Sequence, residues 1–131
     1  MARAITTFLM FEGVAEEAMN FYVSLFKNSA ITSIKRYGPE GPGPEGSIVK
    51  AMFTLCGQEL ACSDSFVKHA FTFTPSMSLF VDCDDEMELE RAFKQLSDGG
   101  QVLMALDNYG FSTKFGWVND RFGVSWQLNL D

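Results

Sequence analysis

Three side chains of this sequence are candidates for acid–base chemistry. His69 is the only histidine of the chain, so any acid–base role of an imidazole falls to it alone. Asp64 ends a predicted strand and could serve as an acid–base group or ligand anchor. Lys50 would repel a metal cation and attract an anionic ligand such as a carboxylate or phosphonate. The competing interpretations are that His69 packs or caps in a loop, Asp64 organises a turn and Lys50 faces solvent.

The three cysteines, Cys56, Cys62 and Cys83, contain no Cys-x-x-Cys pair. An odd set of this kind fits neither a disulfide framework nor a zinc knuckle. No adjacent histidine or run of cations is visible that would lower a thiol pKa, so buried, inert thiols are predicted rather than a nucleophile. We therefore expect a reduced, cytoplasmic setting.

Composition indicates one globular domain over residues 1–131. The chain has 131 residues, 47% of them apolar, including 13 Phe, which is enough for a core. A net charge of −7 disfavours nucleic acid or an anionic membrane as partner, because both require a basic surface. No apolar run approaches the ~18 residues of a membrane span, and the N-terminal segment lacks the apolar region and cleavage site of a signal peptide.

The first half of the sequence predicts the order β-α-β-β-β. The predicted strands are 5–11, 30–37, 48–55 and 58–63, and the predicted helix runs from Ala15 to about Lys27. The segment 38–47 contains three of the four prolines and four glycines and is predicted to be a loop. Cys56 and Gly57 have the spacing of a tight hairpin turn.

The second half predicts the same order again. The predicted strands are 76–83, 101–106, 112–119 and 124–130, and the predicted helix is 85–97. Asp85 with Glu88 resembles a capping box, and Gly99 with Gly100 is typical of a left-handed helix end. The chain is thus predicted to be an α+β protein with an internal structural repeat, module one at about 1–65 and module two at about 70–131.

A specific resemblance supports this architecture. The stretch KFGWVNDRFGVSWQLNL, from Lys114 to Leu130, resembles the C-terminal signature of PhnB-like proteins, and EGVAEEAMNFYVSLF, HAFTFTPSMSLFVDC and ERAFKQLSDGGQVLM extend the match over essentially the whole chain. This family carries the description 3-demethylubiquinone-9 3-methyltransferase and is part of the vicinal oxygen chelate (glyoxalase/bleomycin resistance/dioxygenase) superfamily. The resemblance implies two β-α-β-β-β modules that form a curved eight-stranded mixed sheet around a concave cavity, commonly completed by homodimerisation.

The resemblance also allows a test for a metal site. Superfamily members typically hold a divalent metal through about four His and Glu side chains on inward-facing strand positions. The matching positions here fall near Thr7, Ala51, Ser76 and Gln127, the middle two to within one residue. A Gln amide or Thr hydroxyl contributes no charge to offset metal desolvation. We therefore expect no bound metal.

The methyltransferase description implies S-adenosylmethionine as cofactor. Enzymes that use it typically carry a glycine-rich loop between a strand and a helix. The only glycine-rich segment is GPEGPGPEG, from Gly38 to Gly46, which contains prolines that lack an N–H and precedes a predicted strand. The sequence therefore predicts no cofactor.

The leading functional hypothesis is a homodimer that binds a small organic molecule, anionic or aromatic, in the strand cavity. The expected pocket residues are Thr7, Lys50, Ser76, Trp117, Trp126 and Gln127, and the two Trp are either an apolar wall of the pocket or core residues. The alternative is an enzyme of the same fold, an isomerase, lyase or transferase, that uses Asp64, His69 or Lys50. A purely structural interaction module is a third class.

Overall fold

A computed structural model describes all residues, Met1–Asp131, and contains two helices and eight strands. In chain order these are β1 Thr7–Phe11, α1 Ala15–Leu25, β2 Ala30–Arg36, β3 Ile48–Leu55, β4 Gln58–Asp64, β5 Ser78–Asp82, α2 Glu86–Ser97, β6 Gln101–Asp107, β7 Lys114–Asn119 and β8 Ser125–Leu130. The order confirms the predicted α+β class and the two β-α-β-β-β repeats. Neither helix combines the length and the apolar character that a membrane crossing requires.

The chain divides into two compact units, Met1–His69 and Ala70–Asp131, and each contains one complete repeat. We call them the first and second modules. The first module has a four-stranded sheet of order β1-β4-β3-β2, and the second has one of order β5-β8-β7-β6. In both sheets the first strand of the repeat pairs in parallel with the last, and the other pairs are antiparallel. The repeat is therefore one of topology.

Helix α1 packs on one face of the first sheet. The rings of Tyr22 and Phe53 have centroids 6.5 Å apart, and Met19 Sδ lies 3.7 Å from Cys62 Sγ. Because side chains alternate along a strand, the residues that share a face with Cys62 lie under this helix. We call this the helix-side face of the sheet and the opposite one the open face.

Helix α2 defines the same two faces in the second module. Lys114 Nζ donates hydrogen bonds to Glu86 Oε1 at 3.2 Å and Glu90 Oε1 at 2.8 Å. A Cβ atom added to Gly116 would stand 2.5 Å from Cε2 of Phe93 on α2. Glycine at this position of β7 thus lets the sheet approach the helix closely.

The ends of α2 agree with the sequence prediction. The Asp85 side chain accepts a hydrogen bond from the Glu88 N–H at 2.7 Å and so caps the first turn. Gly99 follows the helix with a φ of +74°, the left-handed conformation expected there. The buried face consists of the predicted residues Leu89, Ala92, Phe93 and Leu96.

Four predicted strands begin later than the sequence pattern indicated, and one of them, β8, does so by a single residue, at Ser125 rather than at residue 124. β1 begins at Thr7 rather than at residue 5, because its register with β4 starts there. β5 begins at Ser78 rather than at residue 76, because a turn closed by the Met77 N–H and the Thr74 carbonyl precedes it. β7 begins at Lys114 rather than at residue 112. The placement of Ser76 in a strand was therefore wrong.

The glycine-rich loop 38–47 folds over the ring of Tyr37. Hydrogen bonds of 2.9 Å from the Tyr37 N–H to the Ser47 carbonyl and from the Gly46 N–H to the Tyr37 carbonyl close it. A Cβ atom on Gly41 or Gly43 would stand 2.9 or 2.8 Å from the Tyr37 ring. The loop joins β2 to β3, so it is not the strand–loop–helix unit that typically cradles S-adenosylmethionine.

Candidate functional site

Four side chains form one row across the open face of the second sheet. In the strand register, Phe80 stands opposite Gln127, Gln127 opposite Trp117, and Trp117 opposite Met104. Phe80 is 55% exposed, and the other three are half-buried. This Gln127 row places one amide among three apolar side chains on a single accessible surface.

A chain of hydrogen bonds fixes the indole of Trp117. Its Nε1–H donates to Ser125 Oγ at 2.8 Å. Ser125 is buried, and its hydroxyl lies 2.7 Å from that of Ser78 on the neighbouring strand. Because the only N–H of the ring already has an acceptor, Trp117 can offer a ligand only the apolar and π surface of its indole.

An aromatic cluster continues this surface beyond Phe80. Phe80 and Phe115 have ring centroids 6.4 Å apart, and Phe111 meets Phe115 edge-on at 5.0 Å. Tyr109 stacks on Phe111 with centroids 6.4 Å apart. Phe111 is 63% exposed and Tyr109 also faces solvent, whereas Phe115 is buried beneath them. Accessible aromatic rings therefore lie next to the Gln127 row.

Asn119 adds an unsatisfied acceptor on the same face. It stands opposite Ser125 in the register of β7 and β8. Its Oδ1 atom is buried and has no hydrogen-bond partner. Leaving a buried acceptor unsatisfied costs about 1–3 kcal/mol, so a buried water molecule that donates to Oδ1 would stabilise this position.

The carboxylate of Asp64 is held by backbone groups. It accepts hydrogen bonds from the N–H groups of Gly13 at 3.0 Å, Ala15 at 2.9 Å and Ile48 at 3.1 Å. Asp64 is buried and stands opposite Phe11, on the helix-side face. A carboxylate that accepts hydrogen bonds from three backbone N–H groups on the helix-side face stabilises the local fold.

Lys50 and His69 lie elsewhere in the first module. Lys50 is exposed on the open face of the first sheet, the face opposite to that of Asp64. The imidazole of His69 is half-buried, with Nε2 2.9 Å from Ser65 Oγ. The structure thus does not bring the three acid–base candidates together on one face of the sheet.

Of the four positions matched to metal ligands, only Gln127 lies on an open face. Thr7 lies two residues before the buried Leu9 and so shares its face, and Ala51 stands opposite Cys62, so both are on the helix-side face. Ser76 lies in the exposed turn before β5, with its Oγ 2.6 Å from Thr74 Oγ. The side chains present therefore do not supply a set of metal ligands on one surface.

The two Trp of the signature strands have different surroundings. Trp126 is 1% exposed, and its Nε1–H donates to Asp120 Oδ2 at 2.9 Å. Its neighbours Ser125 and Gln127 belong to the open face, so Trp126 belongs to the helix-side face. Trp126 is thus a core residue, and only Trp117 borders the accessible surface.

The donor chemistry of the chain does not fit the divalent metal of the superfamily. No group of three or more His, Cys, Asp or Glu side chains is placed to hold a metal ion. Around Gln127 the neighbours are the carbon-rich side chains Phe80 and Trp117. Divalent cations require imidazole nitrogens or carboxylate oxygens, which this row lacks.

Phe80, Met104 and Asn119 belong to this surface but were missed by reasoning from the sequence. Each joins Gln127 or Trp117 only through strand register, which the sequence does not display. The sequence did carry one signal against placing Trp126 and Gln127 in the same pocket. Because side chains alternate along β8, these two neighbours lie on opposite faces of the sheet.

Comparison with known proteins identifies the family. The family described as 3-demethylubiquinone-9 3-methyltransferase matches residues 3–129. A solved structure from Bacillus cereus, described as a putative 3-demethylubiquinone-9 3-methyltransferase, PhnB protein, is 60% identical, with a TM-score of 0.95 over 98% of this chain and 100% of that one.

More distant matches agree with this assignment. Protein YjdN of Escherichia coli K12 is 28% identical over 87 residues, which are 66% of this chain and 58% of that protein. A glyoxylase/bleomycin resistance protein/dioxygenase domain from Frankia is 10% identical, with a TM-score of 0.64 over 99% of this chain and 98% of that one, and shows the fold alone. The chain therefore belongs to the PhnB-like family described as 3-demethylubiquinone-9 3-methyltransferase, and its fold is that of the glyoxylase/bleomycin resistance protein/dioxygenase domain.

Proposed function

We propose that this protein binds a small organic molecule on the open face of the second module, without a tightly held metal. The observation that carries the proposal is the Gln127 row, in which an amide stands between Phe80 and Trp117. Binding surfaces for small molecules typically combine apolar and aromatic walls with a few oriented polar groups. The row and the adjoining aromatic cluster have this composition.

The chemistry of the row defines the class of ligand. Trp117, held by Ser125, and Phe80 favour an aromatic or apolar group. The Gln127 amide can both donate and accept hydrogen bonds. A planar aromatic molecule with an amide, hydroxyl or carboxyl substituent satisfies both requirements.

The alternative is an enzyme of the same fold. Such an enzyme would need an acid–base group beside the bound ligand, and Asp64 instead satisfies three backbone N–H groups. We do not propose methyl transfer from S-adenosylmethionine, because the glycine-rich loop 38–47 joins two strands rather than a strand and a helix. Conversion of a bound ligand by the purified protein would support the enzyme.

We infer in addition that the chain is a cytoplasmic homodimer that binds neither nucleic acid nor membranes. The net charge of −7 supports the last two points, and dimerisation is expected from the family resemblance. Sedimentation equilibrium measures the oligomeric state, and a monomer at all concentrations would contradict the homodimer.

Tryptophan fluorescence tests the ligand proposal, because the chain has two Trp and only Trp117 borders the open face. In the wild type, and in a Trp126→Phe variant whose melting transition shows that it is folded, a panel of benzamide, phenol and benzoate, added to chelator-treated protein and excited beyond the absorption of these compounds, should contain a compound that changes the emission saturably. In a Trp117→Phe variant, the buried Trp126 should respond little. Absence of any saturable change in Trp126→Phe, or an equal change in Trp117→Phe, would refute the proposal.

A further inference from the structure

Two lysines face each other across neighbouring strands of the first module. Lys35 on β2 and Lys50 on β3 are direct partners in the antiparallel register. Both are exposed, and both belong to the open face, since Lys50 neighbours Ala51 on the helix-side face. Side chains in direct register have Cβ atoms about 5 Å apart, so two like charges are held close together.

No acidic side chain neutralises this pair. The salt bridges of the chain join Arg36 to Glu16 and Lys114 to Glu86 and Glu90, and none includes Lys35 or Lys50. Like charges directly opposite each other destabilise a sheet. The pair occurs in a chain with 17 acidic and 10 basic residues, so unpaired lysines are not a consequence of excess basic residues.

The surroundings of the pair offer hydroxyl and apolar contacts. On the same face, Ser63 of β4 lies beside Lys50, on the side away from Lys35, and stands opposite Met10 of β1. Two residues further along these strands, Ser33 of β2 stands opposite Met52 of β3. Neither serine hydroxyl has a hydrogen-bond partner within the chain. Two ammonium groups and free hydroxyls on one surface match the oxygens of a carboxylate, phosphate or phosphonate, and the Met side chains provide an adaptable apolar contact.

We propose that Lys35 and Lys50 form an anion-binding site, which takes the carboxylate, phosphate or phosphonate group of a small molecule whose apolar part contacts Met10 and Met52. A bound anion offsets the repulsion between the two ammonium groups, so the free energy of binding includes relief of that repulsion. The site lies on the first sheet and does not include the Gln127 row. It goes beyond the proposed function, which rests on the Gln127 row.

The probes are inorganic phosphate, hexanoate and hexylphosphonate, with hexanamide as the neutral analogue. Calorimetric titration of the intact chain at low ionic strength should show saturable binding of hexylphosphonate and much weaker binding of hexanamide. Lys35→Gln and Lys50→Gln should each weaken hexylphosphonate binding by about fivefold or more. Lys27→Gln is the matched control, because Lys27 is an exposed lysine outside both sheets. Added salt should weaken binding in the wild type.

Three results would overturn the anion site: no binding of any anion, equal affinity for hexanamide, or an unchanged affinity in Lys50→Gln relative to Lys27→Gln. Melting temperatures of all variants exclude unfolding as the cause of lost binding. The tryptophan assay separates this inference from the proposed function. If Trp117 responds to an aromatic ligand but no lysine-dependent anion binding is found, the proposed function stands and the anion site is rejected.

Discussion

Asp64 caps the helix that begins at Ala15, although the two residues are 49 positions apart in sequence. The N-cap residue of α1 is Val14, which makes no side-chain cap hydrogen bond. Asp64 on β4 supplies the missing acceptor and a negative charge at the positive end of the helix dipole. In the second module the local residue Asp85 performs this task. The two modules thus share a topology but cap their helices by different means.

Asp64→Ala should destabilise the protein by ~3 kcal/mol, because it leaves three N–H donors without their acceptor in the interior. Asp85→Ala should cost only about 1 kcal/mol, the usual effect of losing an exposed N-cap. Urea denaturation measures both values. Asp64→Asn, which keeps one oxygen acceptor, should fall between them. Equal costs for Asp64→Ala and Asp85→Ala would show that Asp64 is not the link between α1, β3 and β4.

Local sequence signals were sufficient for the fold. Alternation along the strands, the Asp85 cap and Gly99 each report on residues close in sequence, and the predicted order of elements, the cap and the helix end agree with the structure, whereas several strand starts do not. The start of β5 at Ser78 was not predictable in this way, because a strand ends where its partner stops pairing with it. For the same reason the sequence indicated Asp64 only as an acid–base group, a ligand anchor or a residue that organises a turn, and not as the cap of α1.

The candidate site was only partly visible in the sequence. Gln127 and Trp117 were found because both belong to the KFGWVNDRFGVSWQLNL stretch, and register places them directly opposite each other. Phe80 and Met104 come from strands distant in sequence and enter the row only through pairing. Thr7 was matched by counting residues, and an offset of one residue moves a strand side chain to the other face of the sheet.

Gly116→Ala tests the close contact between β7 and α2. The added Cβ would stand 2.5 Å from Phe93 Cε2 and 2.7 Å from Leu106 Cδ2, so both side chains must move. We expect a loss of ~2 kcal/mol in the free energy of unfolding. Gly38→Ala is the matched control, since nothing lies within 4 Å of its added Cβ, and it should change stability by less than about 0.5 kcal/mol. A neutral Gly116→Ala would mean that α2 packs less tightly than described.

The thiols should differ sharply in reactivity. Burial, with a smaller contribution from the charge of Asp64, raises the pKa of the Cys62 thiol to about 12. Only the thiolate reacts, so Cys62 should stay unmodified by a disulfide reagent at pH values well below that range. Cys56 is exposed in the β3–β4 turn. We expect one rapidly modified thiol in the native protein, none in Cys56→Ser, and slow modification elsewhere. A rapid thiol remaining in Cys56→Ser would contradict the burial of Cys62 and Cys83.

The Glu16–Arg36 ion pair should make a small part of the stability depend on pH. The hydrogen bond from Arg36, 2.6 Å from Glu16 Oε2, lowers the pKa of Glu16 below its usual 4.5. A carboxyl with a lowered folded-state pKa stabilises the native state above the unfolded-state pKa, and this contribution disappears as the pH falls through the folded-state value. The melting temperatures of wild type and Glu16→Gln should therefore differ near neutral pH and converge as the pH falls through the lowered folded-state pKa of Glu16.

Both side chains of that pair are more than 40% exposed, so its effect should be small and should decrease with added salt. Glu45→Gln, which removes an exposed carboxylate outside any salt bridge, is the control. A difference between wild type and Glu16→Gln that grows as the pH falls would reverse the expected sign and exclude the ion pair as its cause.

Ser125→Ala tests whether the fixed indole of Trp117 matters for binding. The change removes the acceptor of the Trp117 Nε1–H and the partner of the Ser78 hydroxyl, and it should cost ~1 kcal/mol of stability. In the Trp126→Phe background, the indole should become more mobile, so its fluorescence anisotropy should fall. A ligand that binds at the Gln127 row should then bind several-fold more weakly, because the freed ring must be ordered again on binding. Ser76→Ala, in the exposed turn before β5, should change neither quantity. Unchanged anisotropy and affinity in Ser125→Ala would show that the hydrogen bond does not orient Trp117 for the ligand.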